Sequence, residues 1–275
     1  MISIMYDLIF KPKTITLPNG NSVTKKASRK PLIFITLLVI SILAVHITGF
    51  SISVLLMRGR QFFVILTQIV RPDFRFTKYV WTPLLNTIQM SIIGSFTGCV
   101  LALPFAAINS SNIMTNKAVL YFCRVVLSVL RTLPTLVMAL IATLIFNLGT
   151  FAGTVAIAIF TFSMVSKMMY EYIETLDMGA YEAMEALGST KFKAFLAAIL
   201  PQIMPIYLST CLYCIEITVR HSAVLGYVGA GGIGLLINER ISLREYRQVG
   251  TILLMLFVAV IIIENISKYC RKKLS

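Results

Sequence analysis

Long apolar runs alternate along the chain with short polar or basic stretches, and six of them read as helices crossing a hydrocarbon core of ~30 Å. They cover residues 32–56, about 82–108, from Arg131 to Leu148, about 154–169, 202–220 and 251–267. The third has an interfacial lead-in from Val119, and Pro134 suits its first turn or a kink. Residues 57–81 form a loop in this reading, with a short interfacial helix at Phe62–Ile69 and with Tyr79 and Trp81 as interfacial anchors. In the second run Asn86, Gln89, Ser91, Ser95 and Thr97 are too polar to face lipid all round, so one face lines protein or water. A tight turn is expected at Gly149–Gly153, and a small hairpin or loose tail around Pro18–Gly20.

One stretch breaks the apolar monotony. In Tyr181–Pro201, Ala180, Met184 and Leu187 recur at helical spacing, with Glu182 and Glu185 on another face. Gly188 stops that helix, Ser189 or Thr190 caps a second, and Phe192, Phe195, Leu196 and Ile199 form its stripe before Pro201 ends the unit. A helix–glycine–helix between spans suits docking of a soluble partner; a polar inter-span loop is the plainer alternative.

Composition agrees with the membrane reading. The 275 residues are 57% hydrophobic and 13% charged, with mean hydropathy +0.85. The net charge of +14 shows no basic face of a soluble fold, so nucleic-acid binding is not expected; basic loops flanking the spans account for it. Fifteen of the 25 Lys and Arg residues fall on one side if six spans are counted, and that side carries both termini and the helix–glycine–helix unit. Residues 1–31 and 268–275 are then cytoplasmic basic tails, residues 57–81 are extracytoplasmic, and residues 82–267 form the transmembrane core. The five positive charges in Met57–Tyr79 run against this assignment. The long basic N-terminus before the first apolar run marks that run as an anchor rather than a cleaved signal. Cys211 and Cys214 have redox or zinc spacing but no second ligand pair, and helix packing is the expected role.

Two further constellations carry chemistry. Glu216 and Arg220 lie one helical turn apart inside an apolar run, where charges face a partner or a wet cavity; mutual bracing and a role along a transport path are both open. The glycine-rich Gly226–Gly234 lacks the strand and downstream acid of a dinucleotide site, which leaves close helix packing or a flexible gate. Neither a phosphate-binding P-loop, an HExxH pair nor a GxSxG elbow is present, so no ATPase or hydrolase site is expected in the chain.

The order Glu182-Ala183, Gly188, Leu200-Pro201 resembles the EAA loop of bacterial ABC-importer permeases, with Met184 in place of the usual second alanine and Ala198 where isoleucine is common. The Glu216-x-x-x-Arg220 spacing followed by Leu225 and Gly226–Gly234, together with Arg131-Thr-Leu-Pro134, Leu148-Gly149 and Phe151-Ala-Gly153, resembles phosphonate-importer permeases over about residues 82–267. Thr150 departs from a common proline there. The resemblance implies an all-α, methionine-importer-permease-like fold. It implies a homodimer with a path along its two-fold axis and residues 177–201 as the coupling loop. Two cytoplasmic ATPase subunits would contact Tyr181, Glu182, Ala183, Gly188, Leu200 and Pro201, and an extracytoplasmic binding protein would deliver phosphonate, phosphite or phosphate. ATP and magnesium would reside on the ATPase, and no cofactor is expected in this chain. Arg131, Glu216, Arg220, Gly229, Gly231 and Gly232 are the expected path or gate residues. A methionine or other amino-acid importer is the alternative cargo class; a secondary transporter would show inverted internal symmetry, and an intramembrane hydrolase an acid pair or nucleophile.

Overall fold

A computed structural model describes residues 13–16, 22–25 and 30–274 of the chain, which divides into two units, residues 1–63 and 64–275. In the first unit, β1 (Lys13–Thr16) pairs antiparallel with β2 (Ser22–Lys25), Lys13 facing Lys25 and Thr16 facing Ser22. The expected hairpin is therefore formed, although Pro18–Gly20 themselves lie outside the described residues. Helix α1 (Lys30–Thr48) follows, apolar on every face. The first apolar run does not continue to residue 56 as one helix. Gly49 adopts φ +64°, a conformation that stops an α-helix. Helix α2 (Ile52–Ile69) then starts and runs through most of the expected loop. Arg58 and Arg60 interrupt the hydropathy but not the helix, since arginine is a good helix former. The short interfacial helix expected at Phe62–Ile69 is thus the second half of an 18-residue helix, itself a candidate span.

The second unit is a helical bundle. Asp73 caps a single 3-10 turn (Phe74–Phe76) that leads into α3 (Thr77–Asn109). At 1.5 Å per residue its 33 residues reach about 50 Å, more than a bilayer core. Gly94 and Gly98, four residues apart, let α3 press against α6 (Thr150–Thr175). A Cβ on Gly94 would stand 2.8 Å from the Thr154 carbonyl oxygen, and one on Gly98 2.5 Å from that of Ala158. This small-xxx-small spacing, legible in the sequence, is what permits the close backbone approach of α3 and α6.

The third apolar run is broken. Helix α4 (Lys117–Thr132), capped by Asn116, and α5 (Thr135–Phe146) meet at a 96° bend. Leu133 is extended because the ring of Pro134 disfavours helical geometry in the residue before it. The turn expected at Gly149–Gly153 is confined to Asn147–Gly149, and Thr150 already begins α6.

Helix α7 (Gly179–Ala186) is followed by α8 (Lys191–Ala194), a π turn (Phe195–Ile199) and α9 (Leu200–Leu225), the last three without interruption. Pro201 therefore does not end the unit. It sits in the first turn of α9, where the wider ladder of the π turn precedes a residue that has no N–H to donate. A 3-10 turn (Gly226–Val228), α10 (Ile233–Ser242) and α11 (Tyr246–Leu274) complete the chain.

Three buried clusters hold the bundle together. One joins the C-terminal halves of α3 and α6 to α7–α9 through Ala106, Ile173, Tyr181, Phe195 and Ile203. A second joins α5 and the start of α6 to the glycine-rich turn through Met138, Ala152 and Ala230. The third joins the start of α3 to α10 and α11 through Val80, Ile237 and Ile252.

Candidate functional site

The elbow between α6 and α9 has the geometry its sequence specifies. Gly188 stands at φ +86°. Its N–H bonds the Glu185 carbonyl at 2.9 Å, while Ser189 N–H reaches the Met184 carbonyl at 3.1 Å, the crossed pair of a left-handed helix stop. Thr190 Oγ1 then accepts the Lys193 N–H at 3.4 Å and caps α8. The two halves of the elbow expose different chemistry. Leu187 is 84% and Phe192 71% exposed, beside exposed Glu182, Ala183, Lys191 and Lys193.

Tyr181 is different. It is only 3% exposed and belongs to the cluster under the elbow, so it fixes the elbow to the bundle rather than offering itself to a partner. Burial, and then the neighbouring Glu185 carboxylate, push its hydroxyl above the ordinary tyrosine range. Leu200 is half-buried and Pro201 exposed.

A polar knot sits just upstream and was not singled out from the sequence. Glu174, in the last turn of α6, is ion-paired with Arg124 of α4. The same Glu174 oxygen accepts the Ser111 N–H at 2.8 Å and its hydroxyl at 2.6 Å. Arg124 also donates to the Asn109 carbonyl at 2.9 Å and lies 4.9 Å from the centre of the Tyr170 ring. Asn112 closes the arrangement on the carbonyls of Ile173 and Glu174, both at 3.3 Å. The α3–α4 connection is thereby tied to the segment entering the elbow. No local spacing announces this, because Arg124 and Glu174 lie 50 residues apart.

On α9, Glu216 and Arg220 do pair across one turn, the bracing arrangement the spacing allows. The pair is not isolated: Arg271 of α11 also reaches Glu216, at 3.0 Å, and Glu264 of α11 stands 3.7 Å from Arg220. Nearby, the polar residues of α3 divide into two faces. Ser91 and Ser95 are buried against Ser222 and Thr218 of α9, at 3.1 and 2.7 Å, whereas Asn86, Gln89 and Thr97 are exposed.

The glycine-rich segment is packed. Gly226 and Gly234 touch backbone to backbone, with no room for a side chain on Gly226. Gly229, Gly231 and Gly232 take φ of +79°, +77° and +70°. The Gly229 carbonyl accepts the Gly149 N–H at 3.0 Å, and a Cβ on Gly232 would meet Thr87 Oγ1 at 2.5 Å. That Thr87 oxygen accepts the Ile233 N–H at 2.7 Å and so caps α10. Of the expected path residues, Gly229, Gly231 and Gly232 gather against the α5–α6 turn and α3. Arg131 lies apart from them, exposed at the α4–α5 bend. Among the described residues no cluster of His, Cys, Asp or Glu has the geometry of a metal site; Cys214 is buried and Cys211 half-buried on α9.

Comparison with known proteins places this geometry. The family model described as binding-protein-dependent transport system inner membrane component matches residues 98–273. The phosphate-import permease protein PhnE of Mycolicibacterium smegmatis is 32% identical over 211 residues, 76% of this chain, and the chain spans 40% of that relative's length. The phosphite transport system permease protein PtxC of Stutzerimonas stutzeri is 33% identical over 201 residues, 73% of each protein. A solved chain of the MetNI methionine ABC transporter, in an inward-facing conformation, superposes with a TM-score of 0.65 at 19% identity, covering 74% of this chain and 99% of its own. That likeness shows the all-helical fold expected from the sequence. With a family model matching residues 98–273 and five helices long and apolar enough to cross a membrane among the described residues, the chain is a multi-pass membrane protein that belongs to the family of binding-protein-dependent transport system inner membrane components, a transport subunit and not an enzyme.

Proposed function

We propose that the chain is the permease of an ATP-driven importer for phosphonate or a related oxyanion such as phosphite or phosphate. It works as a homodimer whose α7–α8 elbows each engage a cytoplasmic ATPase subunit, while a binding protein delivers cargo to the opposite face. The observation carrying this reading is the elbow itself. An exposed leucine and phenylalanine flank a left-handed glycine on a short double helix rooted in the bundle core, which is a lever presented for docking. The relatives that name an oxyanion favour that cargo: those named for phosphite share 30–33% identity, against 24–26% for those named for D-methionine.

In this reading ATP binding closes the ATPase pair, the elbows move with it, and the continuous α8–α9 rod carries the displacement toward the glycine-rich turn. Glu182, Ala183, Gly188, Leu200 and Pro201 form the coupling surface, with Tyr181 as its root. Arg131, Glu216 and Arg220 border the path, and Gly229, Gly231 and Gly232 shape its far end. ATP and magnesium belong to the ATPase. The protein lies in the bacterial cytoplasmic membrane with both termini on the elbow side.

The test is reconstitution of the permease with its ATPase in proteoliposomes. Binding protein loaded with phosphonate, phosphite, phosphate or methionine is added in turn, and uptake and ATP turnover are read together. Oxyanion uptake with stimulated ATP turnover is expected. Stimulation by methionine alone would transfer the chain to the amino-acid importers.

A further inference from the structure

Five charged side chains from α9 and α11 meet on one face of the bundle. Glu216 and Arg220 come from α9, while Glu264, Lys268 and Arg271 recur at helical spacing on α11. Glu216 is the buried hub, with 8% of its side chain exposed, and it accepts from Arg220 on one oxygen and Arg271 on the other. Glu264 takes Lys268 and stands 3.7 Å from Arg220. Three cations thus stand with two carboxylates in one cluster.

Two of these cations are accessible. The Arg220 side chain is 48% exposed and Lys268 60%, although both lie in candidate spans. An exposed guanidinium at such a position faces water or protein rather than hydrocarbon. Arg220 meets both carboxylates through Nη2, and among the described residues Nη1 and Nε donate no hydrogen bond. A guanidinium with donors to spare matches the paired oxygens of a phosphorus oxyanion. The long Arg220–Glu264 contact is the one an incoming anion would displace.

We propose that Arg220 and Lys268, backed by Arg271 and held in balance by Glu264, form a weak anion-binding station on the transport path. The station takes a tetrahedral phosphorus oxyanion by charge and paired hydrogen bonds, and Glu264 competes with it so that the anion leaves again. A channel-like route needs that balance, because a site that binds too well stops flux. This inference rests on the oxyanion-importer reading and extends it to residues on α11.

The experiment titrates methylphosphonate into the permease–ATPase complex in nanodiscs without binding protein, with 31P relaxation as the readout. Saturable binding is expected. Arg220→Gln should raise the half-saturating concentration about tenfold, the loss of a charge-assisted bond, and Arg220→Lys should recover part of it. Glu264→Gln should lower it about threefold, as removal of one competing exposed charge implies, and slow uptake when the complex is moved to proteoliposomes with binding protein. A purely structural network would weaken binding or folding in both the Arg220→Gln and the Glu264→Gln variants, so a shift in the same direction overturns the station. Absence of saturable binding in the wild type, in a complex that imports oxyanion with binding protein present, also overturns it. Failure of the wild type to import any oxyanion in that second assay strikes instead at the importer reading.

Discussion

Arg124 and Glu174 are ion-paired across 50 residues of sequence, joining α4 to the last turn of α6 immediately before the elbow. The side chains are 33% and 24% exposed, so water weakens the Coulomb part, but the shared hydrogen bonds to Ser111 and Asn109 hold the geometry. Arg124→Gln should lower the thermal stability of the purified protein by about 1–2 kcal/mol, the range for a charge-assisted bond discounted for solvent. Ser111→Ala should cost less, since Glu174 keeps its arginine. Thermal unfolding in detergent, followed by loss of the monodisperse peak, measures both; equal losses would mean the knot does not centre on Arg124.

Gly188 gives a graded series. Its φ of +86° excludes most side chains, yet nothing lies within 4 Å of where a Cβ would stand. The penalty of a substitution is thus backbone strain alone, about 1–2 kcal/mol for an ordinary L-residue. Asn, which tolerates the left-handed region, should leave stimulated ATP turnover of the assembled complex largely intact. Val should abolish it while membrane insertion persists. Normal turnover in Gly188→Val would refute a coupling role for the elbow's hinge.

Thr87 tests the glycine-rich turn without touching a glycine. Its hydroxyl donates to the Pro83 carbonyl at 2.8 Å and accepts from the Ile233 N–H at 2.7 Å. Thr87→Val keeps the shape but strands that buried N–H, at a cost of about 1–3 kcal/mol. Thr87→Ser should restore most of it. Hydrogen exchange at the start of α10 is the local readout, and unchanged protection in the valine variant would show that the cap contributes little.

Gly98 and Gly226 forbid a side chain for a different reason: space. Gly98→Val would drive α3 off the Ala158 backbone, and Gly226→Ala would part α9 from α10. Both should sharply reduce the yield of folded protein in the membrane. Gly59→Ala, where nothing lies within 4 Å, is the control and should leave yield unchanged or slightly raised, alanine being the better helix former.

The elbow was legible because its signals are local. A glycine ending an amphipathic turn, a capping threonine three residues before the N–H it accepts, and the Glu216–Arg220 spacing on one helix face need no knowledge of the rest of the chain. The number and order of apolar runs likewise fixed a multi-pass helical protein before any coordinates. Other local signals went unused or misled. Gly94 and Gly98 announce a tight helix contact that was not read, and the first apolar run hid the break at Gly49. The arginines of α2 suggested a loop where the backbone stays helical.

What only the tertiary structure decided are the partners. The Ala180–Met184–Leu187 stripe of α7 leaves out Tyr181, and α3 is apolar on nearly every side with almost no moment to say which face is buried, so nothing in the pattern told that Tyr181 roots the elbow. Nor did it tell that Ser91 and Ser95 turn inward while Asn86, Gln89 and Thr97 turn outward. Glu216 names Arg220 from spacing, but its second arginine, Arg271, comes from a helix 55 residues away. Polar groups in a membrane protein must find partners wherever the fold supplies them. The chain's own order determined the elements and the elbow; packing alone determined which charges meet.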